Sequence, residues 1–144
     1  MTVLHLGVVD MPYAGKGSTT TGDVAEILEA KYALFQVFWD IHQAVIQHDI
    51  ENSLGGALET MIQNPGGTHS VARALASATS DIETLFRDAI DKQTYDHRIR
   101  GVPTQAALNG VKHSLKHPYA KRGPRPSFYD TGLLASSMRA WVED

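Results

Sequence analysis

The sequence contains no cysteine. This absence excludes disulfide bridges, thiolate ligands for zinc or iron–sulfur clusters, and cysteine nucleophiles. With 144 residues, of which 42% are hydrophobic, the chain is long enough for one domain with a modest apolar core. A cysteine-free chain of this size fits a protein that is made in a reducing cytoplasm.

Long apolar runs are also lacking. No window approaches the roughly 20 apolar residues of a membrane span, so we expect no membrane association. The first ten residues carry neither the basic start nor the small-residue cleavage site of a secretory signal peptide, and none is predicted. A short apolar run from Val3 to Val9 predicts an edge strand or an extended arm instead.

Acidic residues are absent between Asp96 and Asp130. That interval holds seven of the thirteen Lys and Arg residues, whereas the chain up to Asp96 contains thirteen acids and five bases. The formal net charge of -3 is therefore small although acids and bases are strongly segregated along the chain. A localised field of one sign favours a partner of the opposite sign, either nucleic acid or the acidic face of another copy.

The segment from Tyr13 to Gly22 is rich in glycine, serine and threonine. Its Gly15-Lys16 pair suggests a phosphate-binding loop. That motif, however, requires Ser or Thr directly after the Gly-Lys pair and another Gly five positions before the glycine of the pair. Those positions hold Gly17 and Asp10. We therefore predict a flexible linker and no nucleotide or other cofactor.

A long amphipathic pattern follows this linker. Asp23 with Glu26 predicts an N-cap with its reciprocal carboxylate, and apolar residues then recur at three- and four-residue spacing. We predict one helix that is weakened or bent at Gly55-Gly56 by the low helix propensity of glycine and that ends at Asn64-Pro65. The apolar stripe is interpreted as core rather than as a cofactor slot.

Two further helices are predicted downstream. Ser80 with Glu83 forms a capping box that opens a helix to about Lys92, which is the natural antiparallel partner of the first helix. Thr104 caps a third, shorter helix that runs to about Leu115. On this third helix, lysines 112 and 116 would stand one turn apart.

The remaining residues are predicted to form an arm and a strand. Prolines and glycine from Pro118 to Pro126 predict an extended, exposed basic arm. A turn at Asp130-Thr131-Gly132 precedes a single helical turn, and alternating apolar residues from Ser137 to Val142 then predict a strand with one covered face. This strand needs an edge to pair with, either the N-terminal strand or another subunit.

Candidate catalytic and metal-binding residues are few. His113 and His117 have a spacing that fits two ligands on one helix, but the residue after the first is Ser114 rather than the Glu of a metalloprotease, and neighbouring lysines repel a divalent cation. The carboxylates alternate with the apolar stripes, which is typical of a solvated face. We predict no metal site, no catalytic residue and no enzymatic activity.

The basic arm is the better candidate for a functional surface. Its charged residues are Lys112, Lys116, Lys121, Arg122 and Arg125. They would neutralise phosphates without reading bases, or they would meet the acidic front of a neighbouring copy. The protein interface is favoured, since the sequence carries no recognised DNA-binding motif and the net charge is negative.

The C-terminal stretch from Arg125 to Val142 resembles the Thr-Gly-x-Leu-x-x-Ser signature of neck and tail-completion proteins of long-tailed bacteriophages. The pattern is filled by Thr131, Gly132, Leu134 and Ser137. The resemblance implies a non-enzymatic virion protein that is assembled in the host cytoplasm and forms a homo-oligomeric ring, a hexamer or dodecamer, around the DNA channel of the neck or tail. It implies adjacent neck, portal-connector or tail proteins as partners, and it is compatible with non-specific contact with genomic DNA.

Better-known members of these families continue past the signature into a longer strand pair, so we expect a small sheet that is completed by the N-terminal strand or by a neighbour. The predicted fold is α+β and mainly helical, with long antiparallel helices, a small β element and an extended basic arm. We assign residues 1–22 to an N-terminal strand or arm, 23–117 to a helical core, and 118–144 to the basic arm and C-terminal turn and strand. The alternatives are a non-specific DNA-binding packaging or regulatory factor and a small hydrolase or nuclease.

Overall fold

The two ends of the chain meet in one antiparallel sheet. In a computed structural model that describes residues 1–14 and 17–143, strand β1 (Val3–Val8) pairs with strand β2 (Met138–Glu143). Leu6 lies opposite Ala140, which is buried, while the neighbouring Trp141 is exposed. Both strands and the alternation of the C-terminal one are therefore confirmed, and of the two partners expected for that strand the structure shows the N-terminal one.

Helices make up about half of the chain. Within the described residues they are α1 (Thr21–Tyr32), α2 (Leu34–Gln63), α3 (Val71–Ala74), α4 (Ala76–Asp91), α5 (Gln105–Leu108) and α6 (Leu133–Ser137). The predicted α+β, mainly helical fold is confirmed. Over residues 1–14 and 17–143, no helix combines the length and the apolar character that crossing a bilayer requires.

Helix α1 begins earlier than predicted. Its N-cap is Thr20, whose hydroxyl accepts a hydrogen bond from the Asp23 amide at 3.3 Å, while the Asp23 carboxylate accepts one from the Thr20 amide at 2.9 Å. Asp23 is thus the reciprocal carboxylate of the box and not its cap. The predicted pair of Asp23 and Glu26 is wrong, because the threonine three residues upstream forms the same two bonds one turn earlier.

The single long helix predicted from this region is two helices. Ala33 adopts the left-handed conformation (φ 50°) between α1 and α2, and the Glu29 carboxylate accepts a hydrogen bond from the Phe35 amide at 2.7 Å. That bond satisfies one of the free amide groups at the start of α2. At Gly55-Gly56 the helix neither ends nor restarts, and it ends just before Asn64-Pro65, as predicted.

Helix α4 also begins before its predicted cap. It starts at Ala76, so Ser80 lies inside it, where its carbonyl accepts a hydrogen bond from the Thr84 hydroxyl at 3.1 Å. The capping serine of this region is Ser70, which accepts from the Arg73 amide at the start of the one-turn helix α3. The box predicted at Ser80 is wrong, whereas the predicted end near Lys92 is confirmed.

The core lies between α2, α4 and the sheet. The ring of Phe86 stacks on Phe35 with centroids 5.3 Å apart and meets the edge of Phe38 at 5.2 Å. Ile50, further along α2, instead lines an apolar cleft with Ile82, which precedes Phe86 on α4. The two helices therefore run antiparallel, as predicted.

The third predicted helix is much shorter than expected. Thr104 caps it by accepting from the Ala107 amide at 3.1 Å, as predicted, but α5 ends at Leu108. Gly110 follows with φ 64°, and a Cβ at this position would overlap the carbonyl oxygen of Gly123. The close approach of these two segments turns the chain away from the helix axis, so the predicted extension to Leu115 is wrong.

Candidate functional site

The acid-free interval packs at one end of the long helix. Phe128 meets the edge of Tyr32 with centroids 5.3 Å apart and that of the buried Tyr95 at 6.2 Å. Tyr32 is the last residue of α1 and lies just before α2. The segment of residues 111–126, hereafter the basic loop, is therefore fixed near the junction of α1 and α2.

Arg125 holds the basic loop together. Its Nε donates to the Val111 carbonyl at 2.7 Å, and its Nη1 donates to the carbonyls of Pro126 at 2.9 Å and Tyr129 at 2.6 Å. The residue is half-buried. The expectation that Arg125 is exposed on an extended arm is wrong, because the planar guanidinium satisfies three main-chain carbonyls at once.

Arg122 has a similar role nearer the tip of the loop. It is half-buried, and its two terminal nitrogens donate to the carbonyls of Pro118 at 3.2 Å and His117 at 2.8 Å. These bonds close the turn from residue 117 to residue 122. Arg122 therefore also braces the loop and is not the exposed residue that was predicted.

A carboxylate links the basic loop to the C-terminal turn. Asp130 accepts hydrogen bonds from the Ser114 amide at 3.1 Å and from the Ser114 hydroxyl at 2.9 Å. Asp130 also raises the pKa of Tyr13, whose partial burial is the larger cause of that rise. The N-terminal segment, the basic loop and the turn before α6 thus lie side by side.

More than half of the residues of the basic loop are exposed, and four of them are large side chains near its tip. We call these four the basic tip, and they are Leu115, Lys116, Tyr119 and Lys121. The tyrosine side chain is 76% exposed, and its ring meets the edge of His113 with centroids 5.7 Å apart. Lys112 is half-buried, and residues 111–117 are not helical, so Lys112 and Lys116 do not share a helix face.

The two histidines of the loop form no metal centre with other groups. Among the described residues, no group of three or more His, Cys, Asp or Glu side chains is placed to hold a metal ion. His117 instead contributes its main-chain carbonyl to Arg122.

The four positions of the C-terminal signature form a turn that leads into β2. Gly132 has φ 80°, and a Cβ there would lie 3.0 Å from the Tyr129 hydroxyl, so the position requires glycine. Thr131 Oγ1 accepts from the Leu133 amide at 3.2 Å. Leu134 is buried, and the buried Ser137 hydroxyl donates to its carbonyl at 2.8 Å. These residues position the strand rather than a ligand.

A second surface lies at the far end of α2. Four apolar side chains are exposed there, between 38% and 79%, on the last two and a half turns of the helix; we call them the distal stripe, and they are Leu54, Leu58, Met61 and Ile62. No Lys or Arg occurs between Lys31 and Arg73, whereas exposed Glu51 and Glu59 lie beside the stripe on the same helix. This face of α2 is apolar and acidic, while Arg73 lines a cleft with Ala57 and Thr60 of the same helix.

The sequence interpretation missed the distal stripe, because it assigned the apolar stripe up to Ile46 to the core and gave the later apolar residues of the helix no role. The number of apolar residues on α2 is the signal that could have identified the stripe. One face of α2 already supplies the buried side chains Leu34, Phe38 and Ile46, and the apolar residues continue past the last of these. Where a helix extends beyond the helix that packs against it, its remaining apolar positions stay exposed.

The Gly15-Lys16 pair, which suggested a phosphate-binding loop, lies outside the described residues. The flanking residues form a narrow loop in which Pro12 and Thr20 make an isolated bridge. At the base of this loop, hydrogen bonds from the Thr20 hydroxyl and the Gly22 amide lower the pKa of Asp10.

No protein-family model, no curated protein and no solved structure matches this chain.

Proposed function

We propose that this chain is a structural virion protein of a long-tailed bacteriophage, which assembles into a ring around the DNA channel at the junction of head and tail. The resemblance of Thr131–Ser137 to the neck and tail-completion signature supports this proposal. The observation that carries it is physical: the exposed lysines of the basic tip lie on a loop near one end of α2, and the exposed distal stripe with Glu51 and Glu59 lies at the other.

The two surfaces are too far apart to meet within one molecule. A helix of 30 residues is about 45 Å long, and the basic loop packs at the start of α2 while the distal stripe lies at its end. Complementary surfaces at opposite ends of one chain can meet in a contact between copies. Such a contact joins two different patches and is heterologous, so repetition gives a closed ring or an open filament.

Each surface supplies a distinct part of the contact. The distal stripe gives apolar area, whose burial stabilises association by roughly 25 cal/mol per Å² before the costs of binding. Lys116 and Lys121 of one copy face Glu51 and Glu59 of the next, which favours the head-to-tail orientation and disfavours like ends meeting. Tyr119, exposed between the two lysines, provides an aromatic anchor of the kind enriched in interfaces.

Charge reversal on each side tests this contact. We expect Lys116→Glu/Lys121→Glu and Glu51→Lys/Glu59→Lys each to reduce the assembled mass measured by light scattering, because each places like charges across the contact. Combining all four substitutions restores opposite charges and should restore assembly. Electron microscopy of the wild-type protein should show rings with a hole wide enough for duplex DNA.

Two outcomes would overturn the proposal. One is a wild-type protein that remains monomeric at high concentration and forms no ring. The other is assembly that neither double variant weakens. All four positions are exposed, so the unfolding temperature of each variant serves as the control that the fold is intact.

A second candidate, non-specific DNA binding, is favoured by the basic tip alone. An exposed tyrosine between two lysines offers a stacking surface beside phosphate-binding charges. This function predicts affinity for DNA that falls steeply with salt and drops in Lys116→Glu/Lys121→Glu even where assembly persists. The ring is favoured if the protein binds DNA weakly and independently of salt, and if that variant loses assembly.

A further inference from the structure

The two edges of the terminal sheet are not equivalent. On the outer side of β2, the Ala140 amide donates to the Glu83 carboxylate of α4 at 3.1 Å, and Arg139 lies 4.0 Å from the same carboxyl group. Helix α4 therefore covers this edge and supplies a charged cap to it. Covering helices and inward-facing charges are devices that prevent further strand addition.

The outer side of β1 carries no such cap. Val9 donates to the Ser137 carbonyl at 2.7 Å, and bonded residues alternate along an antiparallel ladder, so His5 and Gly7 also bond to β2. The amide and carbonyl groups of Leu4, Leu6 and Val8 point away from it. Among residues 1–14 and 17–143, no group forms a hydrogen bond with them on that side.

The composition of β1 leaves its edge open as well. Residues Val3–Val8 include no Lys, Arg, Asp, Glu or Pro, which are the residues that usually protect an edge strand. The inner face of the strand, with Leu4 and Leu6, is continuous with the core. An added strand would therefore extend both the hydrogen-bonded ladder and the apolar layer beneath it.

We propose that the open edge of β1 pairs with β1 of a second copy, antiparallel and about a two-fold axis. The register that pairs all the outward groups places Leu6 opposite its own equivalent and Leu4 opposite Val8, and it forms about six hydrogen bonds. A second copy is favoured over a foreign strand for a structural reason. Self-pairing gives a four-stranded sheet in which both outer edges are β2 edges already capped by Glu83, so growth stops at two copies, whereas a foreign strand would create a new open edge.

This contact is isologous and uses neither the basic tip nor the distal stripe, so it goes beyond the proposed head-to-tail assembly. The two are separated experimentally by working in the Lys116→Glu/Lys121→Glu background. There, amide hydrogen exchange measured residue by residue should show His5 and Gly7 protected at all protein concentrations. Leu4, Leu6 and Val8 should exchange fast in dilute protein and slowly in concentrated protein.

A matched pair of substitutions provides the second readout. Val8→Pro removes one outward amide and places a ring where the second strand would lie, without removing an amide that bonds to β2. We expect it to raise the dissociation constant of the pair by about tenfold or more, as loss of two symmetry-related hydrogen bonds implies. Val8→Ala keeps the amide and should change that constant by less than about threefold.

The alternating exchange pattern in the wild-type strand needs no variant, so the test holds even if Val8→Pro fails to fold. Exchange of Leu4, Leu6 and Val8 that is independent of concentration would overturn the pairing. So would equal association of the proline and alanine variants, or a protein that is monomeric throughout. Failure of the head-to-tail contact alone leaves the exchange pattern unchanged.

Discussion

Two irregular segments of the chain, one between β1 and α1 and one between α5 and α6, are held in different ways. Between β1 and α1 the anchor is a hydroxyl: Thr21 is fully buried, donates to the Val9 carbonyl at 2.6 Å and accepts from the Met11 amide at 2.8 Å. Between α5 and α6 the anchor is a cation, since Arg125 donates to three main-chain carbonyls. Each anchor satisfies main-chain groups that the absence of regular structure leaves unpaired.

The comparison shows that a charge in the sequence does not by itself mark a binding surface. Within the acid-free interval, Arg122 and Arg125 turn inward to carbonyls, while Lys116 and Lys121 remain exposed. A guanidinium presents several donors in a fixed plane and therefore suits a set of carbonyls, whereas an ammonium group is strongly hydrated. Within the basic loop, Lys116 and Lys121 are therefore the exposed charged residues that can meet a partner.

The largest expected effect comes from removing the cationic anchor. Arg125→Met keeps much of the side-chain volume but leaves three carbonyls without a donor, so we expect the free energy of unfolding to fall by about 3 kcal/mol. Denaturant unfolding measures this change. Arg100→Met, at an exposed arginine of the same interval, is the control and should change stability by less than about 0.5 kcal/mol. Equal effects of the two substitutions would contradict the bracing role.

Removing the hydroxyl anchor should cost less. Thr21→Val preserves the shape of the buried side chain but loses one donated and one accepted hydrogen bond, for an expected loss of about 2 kcal/mol. Water can reach Met11, which is exposed, and limits the effect. Thr21→Ser retains the hydroxyl and should recover more than half of the lost stability in the same unfolding experiment. A serine variant no more stable than the valine variant would show that packing, not hydrogen bonding, is what Thr21 contributes.

Much of the fold could be predicted because it depends on local signals. The alternation in β2, the cap at Thr104 and the turn at Gly132 each require only neighbouring residues. The break at Ala33 could not be predicted, since alanine favours helices and the left-handed conformation there accompanies the bond from the Phe35 amide to Glu29. A side-chain cap on the next helix accompanies a conformation there that propensity does not favour.

The candidate site was predicted only in outline. Clustering of bases identified the basic loop, but sequence could not separate inward from outward side chains, because that depends on which carbonyls the fold leaves free. The roles of Arg122 and Arg125 follow from carbonyls up to 14 residues away in the chain. The distal stripe was not predicted, because periodicity reports one face of a helix and not how far its partner extends.

The smallest expected effect is a pH-dependent change in stability at only one of the two anchored segments, the one between β1 and α1. Hydrogen bonds from the Thr20 hydroxyl and the Gly22 amide lower the pKa of Asp10 from its usual 3.8, so the ionised carboxylate is favoured in the folded state. A lowered pKa contributes stability that is present above the unfolded value and is lost as pH falls through the folded value. Asp10→Asn should therefore lower the unfolding temperature slightly at pH 7, and the difference from wild type should shrink as pH falls below about 4. The other carboxylates titrate in both proteins and largely cancel in this difference. A difference that stays constant from pH 7 to pH 2 would show that Asp10 contributes through its shape and not its charge.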